Sequence, residues 1–315
     1  MSKLKTLHLL YSGSQKGGAQ RVAIECAMHN PDLYTSTVKS GGLIRLLHER
    51  LLRPINFYEL IFNYKFDIIF CSDLRALLFS FLCLRSIFSK KYLILHSDQK
   101  IKHKQFIAPF CRLLSIDCIC TTKVQEDSFK ELSVRTSLVR IADIPVMKPP
   151  RPRTNNILYF GRFEKVKNIK EIIDIFVAAK KEIDGLKLIL VGSGNDILPN
   201  TEGVEIISDW KSQNELEEIM KTCSFVVNAT NHEGFSLQIM EGLSNGLFPL
   251  VKSTGLIKIY NLPNECYLNI ENMGKAADMN ELHWRQFVTN FQSSLLAYLE
   301  NTTHLKDYIS SKSNC

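Results

Sequence analysis

The feature that most constrains this chain is an alternation that runs, stops and starts again. In the first half, short apolar runs at 6–12, 36–39, 67–71, 92–96, 117–121 and 137–140 predict strands. Segments of helical apolar spacing lie between most of them, for example 18–29, 74–88 and 104–114. Asp67-Ile-Ile-Phe-Cys is apolar at successive positions, the pattern of a parallel strand covered on both faces. Such βα units predict a doubly wound α/β domain. Residues 144–155, Ile-Pro-Val-Met-Lys-Pro-Pro-Arg-Pro-Arg-Thr-Asn, then hold four prolines and no apolar period, and read as a stiff extended linker. After it the alternation resumes. Strands are predicted at 156–160, 186–191, 204–207, 225–228 and 248–252, and helices at 169–182, 213–221 and 237–245. Two α/β domains follow, at 1–145 and 146–289. A terminal stretch of helical spacing runs from 281 to 310, and its end, about 290–315, is expected to pack back onto the first domain.

Composition narrows the class. With 315 residues, 45% apolar and 23% charged, the chain can bury two cores and is neither disordered nor collagenous. The longest apolar run, from Ala76 to Leu84, falls far short of the ~20 residues a bilayer span needs. The basic, then apolar start is too short and too polar for a signal peptide, and reads as a first strand. Nine cysteines are scattered without a Cys-x-x-Cys pair, which excludes the usual zinc spacings and argues against a disulfide framework. Most read as small buried apolar residues in a reducing cytosol. Charge is uneven: residues 1–150 carry 22 Lys and Arg against 12 acids, net +10, and residues 151–315 are net −3. A basic half predicts an anionic partner, whether nucleic acid, lipid headgroups or a phosphorylated substrate.

In open α/β sheets ligands bind beyond the carboxyl ends of the strands, so residues just after strands carry the functional argument. In Gly161-Arg162-Phe-Glu-Lys-Val-Lys167-Asn168, a glycine permits close backbone approach and two cations flank a helix start, a cradle for a diphosphate. In Glu233-Gly234-Phe235-Ser236-Leu237, backbone N–H groups at a helix start offer a second anion site, and Glu233 could accept hydrogen bonds from hydroxyls. Glu241, eight positions on, could take a ribose. Gly17-Gly18-Ala-Gln20-Arg-Val follows the first strand, but is neither a Walker A loop nor a dinucleotide fingerprint. His96-Ser97-Asp98 ends another strand, where a histidine can donate a hydrogen bond or move a proton. Gly192-Ser-Gly194 closes the strand at 186–191, and Ser208-Asp209-Trp210 the next. The residues alone leave blander readings open: a solvated turn with surface cations, a capped helix with exposed acids, a structural histidine.

Taken together these elements resemble the retaining family-4 glycosyltransferases of the GT-B fold, two doubly wound Rossmann-like domains facing a central cleft. Gly17-Gly18-Ala-Gln20-Arg-Val is similar to that family's Gly-Gly-Ala-Glu-Arg-Val, with Gln20 in place of an acid. Gly161-Arg162…Lys167-Asn168, Val191-Gly192-Ser-Gly194 and Glu233…Glu241 resemble its Gly-Arg…Lys-Asn, Val-Gly-x-Gly and Glu-x7-Glu elements. The resemblance implies catalytic roles for Glu233, His96, Arg162 and Lys167. It implies donor binding by Gly17, Gly18, Gly161, Gly192, Gly194, Gly234, Phe235, Ser236, Leu237 and Glu241. Arg162 and Lys167 would neutralise the departing diphosphate, Glu233 would orient the sugar, Glu241 would hold the ribose and His96 would touch the sugar.

The implied activity moves a hexose-type sugar from a nucleotide-sugar, with a uridine diphosphate donor favoured, to a saccharide or lipid-linked saccharide acceptor. Anomeric configuration would be retained, without metal or other cofactor, in surface polysaccharide or lipopolysaccharide synthesis. The setting expected is cytoplasmic, peripheral at an anionic inner membrane face. Basic and apolar residues interleave at 44–53, 84–91 and 100–107, a pattern suited to such a surface. Competing readings are a GT-B relative with epimerase or phosphorylase chemistry, and a non-catalytic membrane- or nucleic-acid-binding module. The latter leaves Arg162, Lys167, Glu233 and Glu241 without a purpose, and no aromatic-lined basic groove argues for nucleic acid.

Overall fold

Among the described residues of the structure, a computed structural model, every strand pair is parallel. It describes residues 4–12, 18–30, 32–39, 57–96, 104–209, 211–230, 233–252, 260 and 262–313. Gly17 and the sequence features at 44–53, 97–98, 100–103 and 210 lie outside these residues. The chain divides into two units, Met1–Asp143 with Asn301–Cys315, and Ile144–Glu300.

The first unit is built on strands β1 (Thr6–Ser12), β2 (Tyr34–Lys39), β3 (Ile68–Cys71), β4 (Lys90–Leu95), β5 (Asp117–Cys120) and β6 (Thr136–Arg140). Its helices are α1 (Gly18–His29), α2 (Phe57–Phe62), α3 (Leu74–Ser80), α4 (Lys104–Leu113) and α5 (Lys123–Lys130). The sheet order is β2-β1-β3-β4-β5-β6, with a two-residue strand, Thr303–His304, added beside β6. β1 thus lies between β2 and β3, the place where strand order reverses. Leu7, Leu9, Ile69, Leu93, Leu95 and Phe129 form its core. Cys71, Cys83, Cys111, Cys118 and Cys120 sit in the same core as free thiols, and burial pushes Cys71 and Cys120 up to about 12.

The apolar run at 74–88 is not one helix. α3 ends at Ser80, and a single 3₁₀ turn, Leu84–Ser86, follows. The run is apolar on every side, so its periodicity carries no stop signal. Tertiary contacts hold the 3₁₀ turn in place of further helix: the Phe66 N–H donates to Ser86 Oγ at 2.8 Å, and buried Lys91 on β4 donates to the Ser86 and Ile87 carbonyls at 3.2 and 2.8 Å.

The second unit holds β7 (Asn156–Phe160), β8 (Lys187–Val191), β9 (Val204–Ile207), β10 (Phe225–Asn228) and β11 (Phe248–Val251). Its order is β11-β10-β7-β8-β9, so strand order reverses between β7 and β10. The helices are α6 (Ile169–Ala179), α7 (Gln213–Lys221), α8 (Leu237–Ser244), α9 (Ile270–Asp278) and α10 (Glu281–Glu300). α7 starts on a capping box of Ser212 and Glu215. α10 buries Trp284 against Phe225 and Phe248, ring centroids 5.0 and 5.1 Å away. The proline-rich stretch is pinned to this unit, with Lys148 N–H donating to Ser244 O at 2.7 Å and Gln292 Nε2 donating to Lys148 O at 2.7 Å. The helical spacing at 281–310 is interrupted: α10 stops at Glu300, Thr303–His304 joins the first sheet, and α11 (Leu305–Ser313) packs against α1.

Candidate active site

The switch point of the second unit is made by the loops that leave β7 and β10. β7 ends at Phe160 and Gly161 takes a positive φ of 152°. Behind it, the buried Tyr159 hydroxyl donates to Arg162 O at 2.8 Å and fixes the turn. Burial, aided by the negative charge of Glu233, pushes this phenol above its ordinary range, so it stays a neutral donor. A 3₁₀ turn, Lys165–Lys167, then leads into α6 through Asn168, which adopts the left-handed conformation, φ 52° and ψ 39°. Asparagine tolerates that conformation better than most residues. The Asn168 Nδ2 donates to Ala229 O at 3.0 Å, which ties the β7 loop to the end of β10.

The same two loops meet through side chains. Lys167 Nζ donates to Glu233 Oε2 at 2.7 Å, with the side chains 21% and 18% exposed. Arg162 Nη1 donates to Glu164 Oε1 at 2.8 Å. Arg162 and Lys167 therefore each already hold a carboxylate, and an incoming dianion would exchange for it.

Beyond residues 231–232 the β10 loop is rigidly packed. Gly234, Phe235 and Ser236 are buried. The Phe235 ring lies 5.7 Å from that of Tyr260 and stacks at 5.8 Å on Tyr298. Ser236 caps α8 by accepting from Ile239 N–H, and its carbonyl accepts from the Tyr260 hydroxyl at 3.0 Å. Any ligand contact from this segment must use backbone groups at the helix start. Leu237 opens α8 and Glu241 lies in its second turn, both partly exposed.

Gly192 and Gly194 have a structural explanation that their sequence context does not reveal. A Cβ on Gly192, φ 145°, would lie 1.9 Å from Gly161 O, and one on Gly194 would lie 2.0 Å from Phe163 O. Gly161 N–H donates to Val191 O and Phe163 N–H to Ser193 O, both at 2.9 Å. The close approach these glycines allow is to the β7 loop itself, so they shape the turn that presents Arg162.

His96 and Gly18 belong to the first unit. His96 is partly buried directly after β4, and Gly18 opens α1 after β1 at that unit's switch point. Gly17 lies outside the described residues. Among the described residues no group of three or more His, Cys, Asp or Glu could hold a metal ion.

Sequence reasoning missed two contributors, Asn228 and Lys252. Asn228 Nδ2 donates to Gln238 Oε1 at 2.9 Å and its Oδ1 accepts from Thr230 N–H at 2.9 Å, locking the β10 loop to α8. Lys252, directly after β11, donates to both carboxylate oxygens of Glu171 in the first turn of α6 at 2.6 Å. The signal for Lys252 was the one used elsewhere, a charged residue at a strand's carboxyl end.

Residues 154–266 match the family described as Glycosyl transferases group 1. The matched stretch lies within the second unit and contains both switch-point loops. A curated relative is similar over 105 residues at 30% identity, covering 30% of this chain: the GDP-mannose:cellobiosyl-diphosphopolyprenol alpha-mannosyltransferase of Xanthomonas oryzae. The aligned stretch spans 28% of that relative's length. Among solved structures, Anabaena HepE in complex with UDP and glucose is similar at TM-score 0.71 and 13% identity, covering 98% of both chains. A structure described as trehalose-6-phosphate from E. coli bound with UDP-2-fluoro glucose is similar at TM-score 0.65 and 11% identity, covering 98% of this chain and 99% of that one. These likenesses show the fold, which is GT-B.

Proposed function

We propose that this chain is a glycosyltransferase that moves a hexose-type sugar from a nucleotide-sugar to a saccharide acceptor. The observation that carries the reading is the pairing of Lys167 with Glu233 across the switch point, beside Arg162, within the matched domain. A cation poised on a partly buried carboxylate can exchange that partner for a diphosphate. The freed carboxylate is then available to sugar hydroxyls.

In this reading Arg162 and Lys167 stabilise the negative charge that grows on the diphosphate as the glycosidic bond breaks. Preorganised charge of this kind is commonly the largest catalytic contribution. Glu233 orients the sugar, Glu241 accepts from the ribose hydroxyls, and backbone N–H groups at the start of α8 bind phosphate oxygens. His96, Gly17 and Gly18 act from the first unit. No metal takes part, since the cations are the protein's own. Retention of configuration, with the leaving phosphate oxygen taking the acceptor proton, belongs to the same proposal. So does a role in surface polysaccharide or lipopolysaccharide synthesis on the cytoplasmic side, at the inner membrane face.

A uridine diphosphate donor is supported by the UDP-bound neighbours. The mannosyltransferase relative favours a second reading, a guanosine diphosphate donor. Thermal shifts with uridine and guanosine diphosphates and their sugars, with and without chelator, test both. Chelator-insensitive stabilisation by one base series supports the site and names the base, because a ligand that binds only the folded state raises Tm. No shift with any nucleotide overturns the proposal.

A further inference from the structure

The amino ends of four adjacent strands in the first unit carry a feature that the switch point does not use. Strand order places β3, β4, β5 and β6 side by side. The segment before β3 presents Lys65, and that before β4 presents Leu84, Arg85, Ile87 and Phe88. The segment before β5 presents Arg112, Leu113 and Leu114, and that before β6 presents Arg135. All nine are exposed, Phe88 at 98%, Leu113 at 82% and Leu84 at 60%. The segments are joined locally: Lys65, Arg85 and Phe88 line one hollow. Lys90 Nζ and Arg135 Nη2 both donate to Ser115 O, and both cations pair with Asp117. The rim thus holds Lys65, Arg85, Lys90, Arg112 and Arg135 against Asp67 and Asp117.

We infer that this edge docks on an anionic lipid surface, with Phe88, Leu84 and Leu113 entering the headgroup–acyl boundary and the cations facing the headgroups. Two observations favour a fluid surface over a protein partner. Phe88 and Leu113 stand out from the surface, 98% and 82% exposed, and among the described residues no packed apolar centre of the kind a protein interface offers surrounds them. The charge around them has one dominant sign, as interfacial lipid binding requires. The edge is at the opposite end of the sheet from His96, so docking leaves that end of the first unit accessible. This inference deepens the membrane-face setting of the proposed function and does not depend on the transfer chemistry.

Co-sedimentation of the full chain with phosphatidylcholine vesicles, with and without about three parts in ten of phosphatidylglycerol, tests it. Binding is expected only with the anionic lipid and should fall steeply between about 0.05 M and about 0.5 M salt, as the screening length shrinks. Phe88→Ser with Leu113→Ser should weaken the partition coefficient about tenfold or more. Lys65→Ser and Arg85→Ser should each cost about fivefold. All four side chains are exposed, so the variants keep the wild-type melting curve and nucleotide response. Wild-type binding by the double apolar variant overturns the assignment, as does the absence of binding to anionic vesicles. Self-association of wild type that Phe88→Ser abolishes, without vesicle binding, overturns it in favour of a second copy. Because nucleotide shifts are read separately, failure of docking and failure of the donor site are distinguishable.

Discussion

Lys167 and Glu233 come from loops that follow strands separated by two intervening strands in sequence, yet sheet order makes those strands neighbours. Their pairing therefore depends on the fold, while their identities depend on local motifs, and only the motifs were legible from the sequence. The residues that hold the loops, Asn168 on Ala229 O and Asn228 on Gln238, were illegible because an asparagine in a loop has many possible partners. Lys167→Ala removes a cation from the proposed diphosphate contact, and kcat/KM should fall about 10²–10³-fold, the loss typical of one preorganised donor. Glu233→Gln keeps the volume and frees Lys167 of its counter-charge. Nucleoside diphosphate alone should then bind more tightly while sugar transfer collapses. Titration calorimetry with the diphosphate and initial rates with the full donor read the two effects separately. Unchanged rates in both variants would remove these residues from the site.

At the scale of elements, periodicity located strands well wherever both ends carried polar punctuation. β7, β9, β10 and α7 coincide with the expected 156–160, 204–207, 225–228 and 213–221. It failed where an element depends on a distant partner. Thr303–His304 is too short to show alternation and exists as a strand because it pairs with Val139 and Arg140. α9 gave little apolar signal, and its start is set by the Asn269 cap. Glycines at two places make opposite predictions. Gly192→Ala drives a Cβ to 1.9 Å from Gly161 O at a positive φ, so the β7 and β8 loops must separate. A loss of several kcal/mol or more is expected, on the order of the largest single-site effects, together with loss of nucleotide stabilisation. Gly274→Ala, inside α9 with nothing within 4 Å of its new Cβ, should instead raise stability by about 0.5–1 kcal/mol. Urea unfolding of the two variants checks both signs, and wild-type stability in Gly192→Ala would mean that backbone crowding there is relieved without cost.

At the scale of the whole molecule, the two units carry different titrating burdens. His8 on β1 is fully buried, with Nε2 2.8 Å from Ser72 Oγ, and burial lowers its pKa to about 4. His304, buried beside β6 with Lys306 and Arg140 opposing its charge and Asp143 favouring it, is likewise lowered to about 4. Both lie in the first unit. Above pH 6.5 each is neutral, folded or unfolded, and costs nothing. As pH falls below 6.5 the unfolded chain binds protons that the native one refuses, so stability is lost until pH reaches about 4. For His8 this amounts to about 2 kcal/mol at pH 5, equivalent to a urea midpoint lowered by about 1 M. Both tryptophans, Trp210 and Trp284, lie in the second unit. Far-ultraviolet circular dichroism reports both units and tryptophan fluorescence reports the second. On moving from pH 7 to pH 5, the dichroism signal should acquire an earlier urea transition while the fluorescence midpoint holds. His8→Asn should lower stability at pH 7 by removing a packed ring, yet flatten the pH dependence. If both probes shift together, the units unfold as one cooperative body. If neither shifts, the two histidines accept protons in the native state and the burial argument fails.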